Sequence, residues 1–346
     1  MVFTTPVIRA LRRALPDAYL AYLVEQDAAA VVAGNPHLDE VIVIRRSRGL
    51  ARVFDDLRLA SQLRRRRFDT VIDMHGGPRS GWLTFATGAP QRIGYAMPGR
   101  RWIYTRDVPR ARELRPRHSV VNQWDLLQAL DLGGWNGTPP DPVHDCVEMA
   151  SDARAERSVA ERLLARGVSA EHELIVIHVS AGNAFRRWPE EAFVRLIVGL
   201  TANPARRVIV SSGPSDREAT ARILRQAREG PGESFGSRIV EFGEFDLAEL
   251  RALVARSHLF IGGDTGPLHI AATTATPVVG LYGPTLPARS APWRNPAYPM
   301  ESLGIEGLAC RPCDQRHCVP GDFRCLTTLK SDDVLAAAER LLKRTA

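Results

Sequence analysis

Gly262-Gly263-Asp264-Thr265-Gly266-Pro267-Leu268-His269-Ile270-Ala271-Ala272 is the stretch whose reading decides the fold of this chain. It follows directly on an apolar run that begins at His258, and it leads into a helical pattern. Paired glycines let the backbone turn sharply at the end of a strand, and proline suits a first helical turn because its missing N–H would be unsatisfied there anyway. The free amides of Thr265, Gly266 and Leu268 would then face an anion at the helix N-terminus, as in a diphosphate cradle. Taken alone, the stretch also suits a tight turn in which Asp264 or Thr265 caps the helix.

Working outward, the same strand-then-helix alternation recurs along the chain. Strand candidates in the first half are Ala18 to Val24, Glu40 to Ile44, Asp69 to Met74 and Arg92 to Tyr95. Those in the second half are Leu174 to Val179, Arg207 to Ser212, Ile239 to Phe242, His258 to Gly262 and Pro277 to Leu281. Apolar β-rich runs alternating with helical periodicity predict parallel sheets with helices on both faces. Between the halves, Gly133 to Pro142 carries three glycines and three prolines, which stop helix and strand alike. The expected organisation is an N-terminal domain over 1–135, a linker over 136–150, a second domain over 151–330 and a closing helix over 331–346. That helix opens on Ser331, Asp332 and Asp333. Two Rossmann-like, doubly wound α/β domains facing across a cleft are implied, with ligand at the carboxyl ends of the strands.

Two more loops at strand ends carry suitable chemistry. Ser180-Ala181-Gly182-Asn183-Ala184-Phe185-Arg186-Arg187 combines small residues with a guanidinium pair fit for phosphate. Ser211 to Glu218 offers Asp216 and Glu218 to ribose hydroxyls, and Phe245 stands where an adenine pocket is expected. Neither G-x-x-x-x-G-K-[ST] nor a strand-following G-x-G-x-x-G occurs, so the common kinase and dehydrogenase fingerprints are absent. At the start, Thr4, Thr5 and Pro6 read as the cap and first turn of an amphipathic helix through Val7, Leu11 and Leu15, with no strand before it.

A length of 346 residues, 45% hydrophobic and 25% charged, with mean hydropathy −0.16, describes a globular protein of about two domains. No apolar run approaches the roughly 20 residues of a membrane span, and Arg9, Arg12 and Arg13 interrupt any signal-peptide core. Lys+Arg 46 against Asp+Glu 39 gives +7, almost all of it guanidinium, since only Lys330 and Lys343 are lysines. An anionic partner is favoured, but no aromatic-plus-basic stripe marks a nucleic-acid surface. Cys310, Cys313, Cys318 and Cys325, spaced C-x2-C-x4-C-x6-C with His317 beside the third, are a candidate structural zinc knuckle in a reducing cytoplasm.

Taken together, these motifs resemble the family 9 glycosyltransferases, typified by the ADP-heptose:lipopolysaccharide heptosyltransferases. In the second half the resemblance lies in D-T-G-P-x-H-x-A-A at Asp264 to Ala272, Y-G-P-T at Tyr282 to Thr285, R-W-P at Arg187 to Pro189 and G-P-x-D at Gly213 to Asp216. In the first half it lies in Thr4 to Arg12, Ile72 to Ser80 and Arg92 to Tyr95. The resemblance implies a GT-B fold, an ADP-sugar held by the C-terminal domain and a saccharide acceptor held by the N-terminal one. It implies direct displacement with inversion, needing no cofactor or catalytic metal. Carried over, Arg186, Asp264, Thr265, Gly266 and His269 bind donor, joined by Ser180, Gly182, Asp216, Glu218 and Phe245 from the strand-end loops, while His75 and Arg79 face acidic groups of the acceptor. That acceptor would be an anionic lipid-linked saccharide at the inner face of the cytoplasmic membrane, with the enzyme cytoplasmic and peripheral.

The family places a Gly-Asp pair, with its aspartate as general base, just before the position of Val2. Here that position precedes Met1, so the expectation is a start assigned too late or a degenerate member, and no catalytic residue is assigned. Two other readings stay open: a nucleotide-sugar epimerase of the same fold, and a non-catalytic sugar-nucleotide-binding homologue. Product analysis separates the first, and donor binding without turnover identifies the second.

Overall fold

A computed structural model describes residues 1–345 except 46, 111–116, 131–137, 230–235, 312 and 314. Gly133, Gly134 and Gly137 of the glycine- and proline-rich stretch between the halves, and Ala346 of the closing helix, lie outside the described residues. The chain divides into two compact units, one over Phe3–Asp145 with Met1 and one that includes Cys146–Ala346.

In the second unit six parallel strands form one sheet: β6 (Glu173–His178), β7 (Arg206–Ser211), β8 (Ile239–Val240), β9 (Leu259–Gly263), β10 (Val278–Tyr282) and β11 (Met300–Gly304). Their order is β11-β10-β9-β6-β7-β8. The inner strands are buried on both faces, Ile175, Ile177, Phe260 and Val279 being wholly enclosed, because helices cover both sides of the sheet. Helices Glu190–Thr201 and Ser331–Thr345 share one core with it, joined through Leu196, Leu200, Val334 and Leu341.

Among the described residues the first unit holds two sheets. Strands β1 (Ala21–Glu25) and β2 (Glu40–Ile44) pair in parallel, and β3 (Thr70–Ile72), β4 (Gln91–Tyr95) and β5 (Arg106–Val108) form a separate parallel set. No strand precedes helix Thr5–Ala14 among the described residues, and none joins β1 to β3. That helix buries Val7, Ile8 and Ala10, with Val7 and Ala10 packed in one core with Ile93, Tyr95 and Trp124.

Three local expectations are corrected. Thr4 does not cap its helix: its hydroxyl donates to the Met1 carbonyl (2.7 Å) and bonds the Tyr22 hydroxyl (2.8 Å), so tertiary partners outcompete the helix amides. The expected strand Ile239 to Phe242 ends at Val240. Strands β5 and β11 were not expected at all, because an edge strand needs few apolar residues and Arg106-Asp107 and Glu301-Ser302 break the pattern.

Candidate functional site

From β6 the chain of the second unit runs outward through β7 and β8, then returns to β9 on the other side of β6 and runs out through β10 and β11. At such a reversal the connecting loops diverge and leave a crevice beyond the strand carboxyl ends, where ligands of open parallel sheets bind. The two flanking loops are the Ser180 to Pro189 loop after β6 and the Asp264 to Gly266 turn after β9.

Arg186, at the end of the 3-10 turn Ala184–Arg186, bridges these loops. Its Nη1 donates to the Asp264 carbonyl (2.7 Å) and lies 3.6 Å from the Asp264 carboxylate, while its Nε donates to Gln315 Oε1 (2.8 Å). Its Nη2 has no partner among the described residues. Gln315 also accepts from Asn183 Nδ2 (3.1 Å), and it does so from a left-handed backbone, φ 60°, that glutamine seldom adopts. A neutral amide here orients the guanidinium without cancelling its charge. Nothing in the local sequence marks Gln315.

Asp264 is 4% exposed and caps no helix. Thr285 Oγ1 donates to it (2.6 Å) and His269 Nε2 lies 3.4 Å from its other oxygen. Burial pushes its carboxyl up, but the bonds from His269 and Thr285, with the charges of His269 and Arg186, outweigh that and hold it below the usual carboxylate range. Thr265 makes no capping bond either, its hydroxyl donating to the Gly263 carbonyl (3.3 Å). The turn is therefore not explained by capping.

Glycine at 182 and at 266 is not demanded by the protein itself. Neither has a positive φ, and a Cβ at either would meet nothing within 4 Å. Their bareness leaves backbone open to close approach at the two loops that flank the reversal.

The third loop plays a supporting part. Asp216 is buried and accepts from Ser180 Oγ, from Ser215 Oγ (2.8 Å) and from Arg187 Nη2 (2.9 Å), so Ser180 and Asp216 tie two loops together. Glu218 is exposed on the first turn of helix Arg217–Arg228. Phe245 is half-buried, 6.2 Å from the ring of Phe242. Behind the loops, His178 is enclosed at the end of β6 and bonds Ser211 Oγ (2.9 Å), and burial lowers its pKa to about 4.

Cys310, Cys313, Cys318 and Cys325 all line one cavity of about 30 Å³ together with Phe185 and Phe323. Among the described residues no three His, Cys, Asp or Glu side chains are close enough to hold a metal ion as they stand.

In the first unit, Asp73 follows β3 and organises the next loop, accepting from the amides of His75 (3.0 Å) and Gly76 (2.9 Å), from Ser80 Oγ (3.0 Å) and from Tyr104 Oη (2.7 Å). His75 is exposed at the top of that loop. Arg79 is already matched by carboxylates, at 2.6 Å from Asp56 and 3.1 Å from Glu25. Two cations that sequence reading passed over lie nearby: Arg100 donates to the Gly76 carbonyl (3.2 Å), and Arg110 lies 5.4 Å from the centre of the Tyr95 ring. Among the described residues neither forms an ion pair, and the buried Asp73 carboxylate lies in the same loop.

Comparison with known proteins follows the same lines. Residues 57–320 match glycosyltransferase family 9 (heptosyltransferase). The chain is 26% identical to lipopolysaccharide heptosyltransferase 3 of Escherichia coli strain K12, over 100% of this chain and 96% of that one. Its fold is that of a glycosyl transferase family 9 protein from Veillonella parvula (TM-score 0.80, 21% identity, 99% of this chain and 93% of the other). It is likewise that of the Escherichia coli ADP-heptose lps heptosyltransferase II (TM-score 0.77, 19% identity, 100% and 96%). Both likenesses give the chain a fold of GT-B type.

Proposed function

Since the chain belongs to glycosyltransferase family 9 (heptosyltransferase) and is thus a glycosyltransferase, we propose that it moves a heptose-like sugar from an ADP-sugar to a lipopolysaccharide-core or related surface glycan, inverting the anomeric carbon. The observation that carries the donor half is the bridged, glycine-bared crevice between β6 and β9. Arg186 and the open amides at Gly266 meet the diphosphate, whose negative charge grows as the sugar–phosphate bond breaks. The acceptor hydroxyl forms the new bond from the opposite face, ADP leaves with the electron pair, and the hydroxyl proton passes to a base that we do not assign. No metal ion enters these steps.

Acidic groups of the acceptor are proposed to meet Arg100 and Arg110 beside His75, because both guanidinium groups border the loop at Gly76, whereas Arg79 is held by Asp56 and Glu25. A structural zinc at the four cysteines is a separate proposal: one ion per chain in the purified protein supports it, and none refutes it. The donor reading is tested by titrating the protein with ADP and UDP. ADP at 100 times its Kd should add about 2.7 kcal/mol of stability. Stabilisation by UDP and not by ADP would overturn it.

A further inference from the structure

Helix Gly49–Arg65 of the first unit is docked through Ala60 and Leu63, both buried. A second face of the same helix stands bare, with Leu50 79%, Val53 55%, Phe54 70% and Leu57 53% exposed. Spacing of i, i+3, i+4 and i+7 stacks these four side chains on one stripe. Scattered exposed apolar residues are ordinary, but four in register on a single helix mark an interaction surface.

The charge around the stripe says what kind of partner fits. Two turns beyond Leu57 the same face continues into exposed Arg64 and Arg65, while Arg48 precedes the helix and Arg58 flanks it, both exposed. Of the helix's two acidic residues, Asp56 is already held by Arg79, which leaves Asp55. An apolar stripe edged by guanidinium groups is suited to lie in the headgroup layer of a bilayer: the leucines and phenylalanine enter the acyl boundary while arginines stay at the anionic surface. We propose that this helix is the membrane-docking element of the protein and that its partner is an anionic lipid surface. The inference stands on the helix alone and not on the donor site.

Vesicle flotation tests it, with phosphatidylcholine vesicles with and without phosphatidylglycerol. The full chain is expected to float with the anionic vesicles at low salt and to be released as salt rises. A variant carrying Leu50→Ser, Val53→Ser, Phe54→Ser and Leu57→Ser should partition about tenfold less or weaker still. Arg64→Gln with Arg65→Gln should bind more weakly and with less salt dependence. Unaltered thermal unfolding of these surface variants establishes that they are folded. Failure of the parent chain to float, or equal flotation by the quadruple variant, overturns the proposal. So does a dimer that the quadruple variant dissociates, without vesicle binding, which would assign the stripe to a second copy of the chain. Absence of ADP binding, by contrast, would refute the donor reading alone.

Discussion

Gly266→Ala separates a ligand-facing glycine from a merely conformational one, because the two explanations predict effects of opposite sign on stability and function. Gly266 opens helix Gly266–Ala271 with no positive φ, and an added Cβ meets nothing within 4 Å. Alanine there removes unfolded-state freedom without strain, so the variant should be more stable by about 0.5 kcal/mol. For a unit of this size that raises Tm by about 1 to 2 °C. The same methyl occupies space that a diphosphate oxygen needs in order to reach the backbone amide. Losing one charge-assisted bond, about 1.5 to 3 kcal/mol, weakens ADP binding by roughly 10- to 100-fold. Calorimetric titration with ADP beside a melting curve reads both numbers from one preparation. An unchanged Kd would show that ligand does not approach this turn, and a lower Tm would show that the apparent open space is in fact used for packing.

Gln315→Glu keeps the acceptor for Arg186 Nε but sets a negative charge against it, so ADP affinity should fall while thermal stability holds or rises; equal affinity would mean that Arg186 does not meet phosphate. Gln315→Gly relieves the left-handed backbone but gives up the bonds from Arg186 and Asn183 and adds unfolded-state freedom, so it should melt no higher than the parent and bind ADP less well; unchanged ADP affinity would show that Gln315 does not orient Arg186 for phosphate. Asp264→Ala strips a shared carboxylate from Thr285, His269 and Arg186, and is expected to cost about 2 kcal/mol in urea denaturation as well as donor binding; a fully stable variant would refute the network. His178 binds no proton above about pH 4 in the native protein, whereas the unfolded chain does so below about 6.5. Between those values the unfolded state holds more protons, so stability rises with pH, and acidification through that window should remove about 3 kcal/mol. A urea midpoint that is flat from pH 7 to 4 in the parent, or a slope unaltered by His178→Gln, would exclude this histidine as the source.

Sequence alone determined the features that local chemistry controls. Strand β2 falls on Glu40 to Ile44 as expected, because the run of β-branched residues is bounded by breakers within a few positions. The turn at Gly262 to Gly266 was legible for the same reason, since glycine and proline set backbone geometry wherever they stand. Family membership followed from several short motifs in fixed order. Tertiary structure decided whatever depends on partners far along the chain. Arg186 and Gln315 are 129 residues apart, and Arg79 finds Asp56 and Glu25 at separations of 23 and 54. No periodicity encodes such pairings, so Gln315, Arg100 and Arg110 gave no signal and the engagement of Arg79 could not be foreseen. Edge strands β5 and β11 were missed because each offers a single apolar side chain to the core, Val108 and Leu303, too few to make a pattern, and the ladder with the neighbouring strand completes them. The exposed stripe of helix Gly49–Arg65 was decided by the packed structure, in which Ala60 and Leu63 take the inward face and leave Leu50, Val53, Phe54 and Leu57 to solvent.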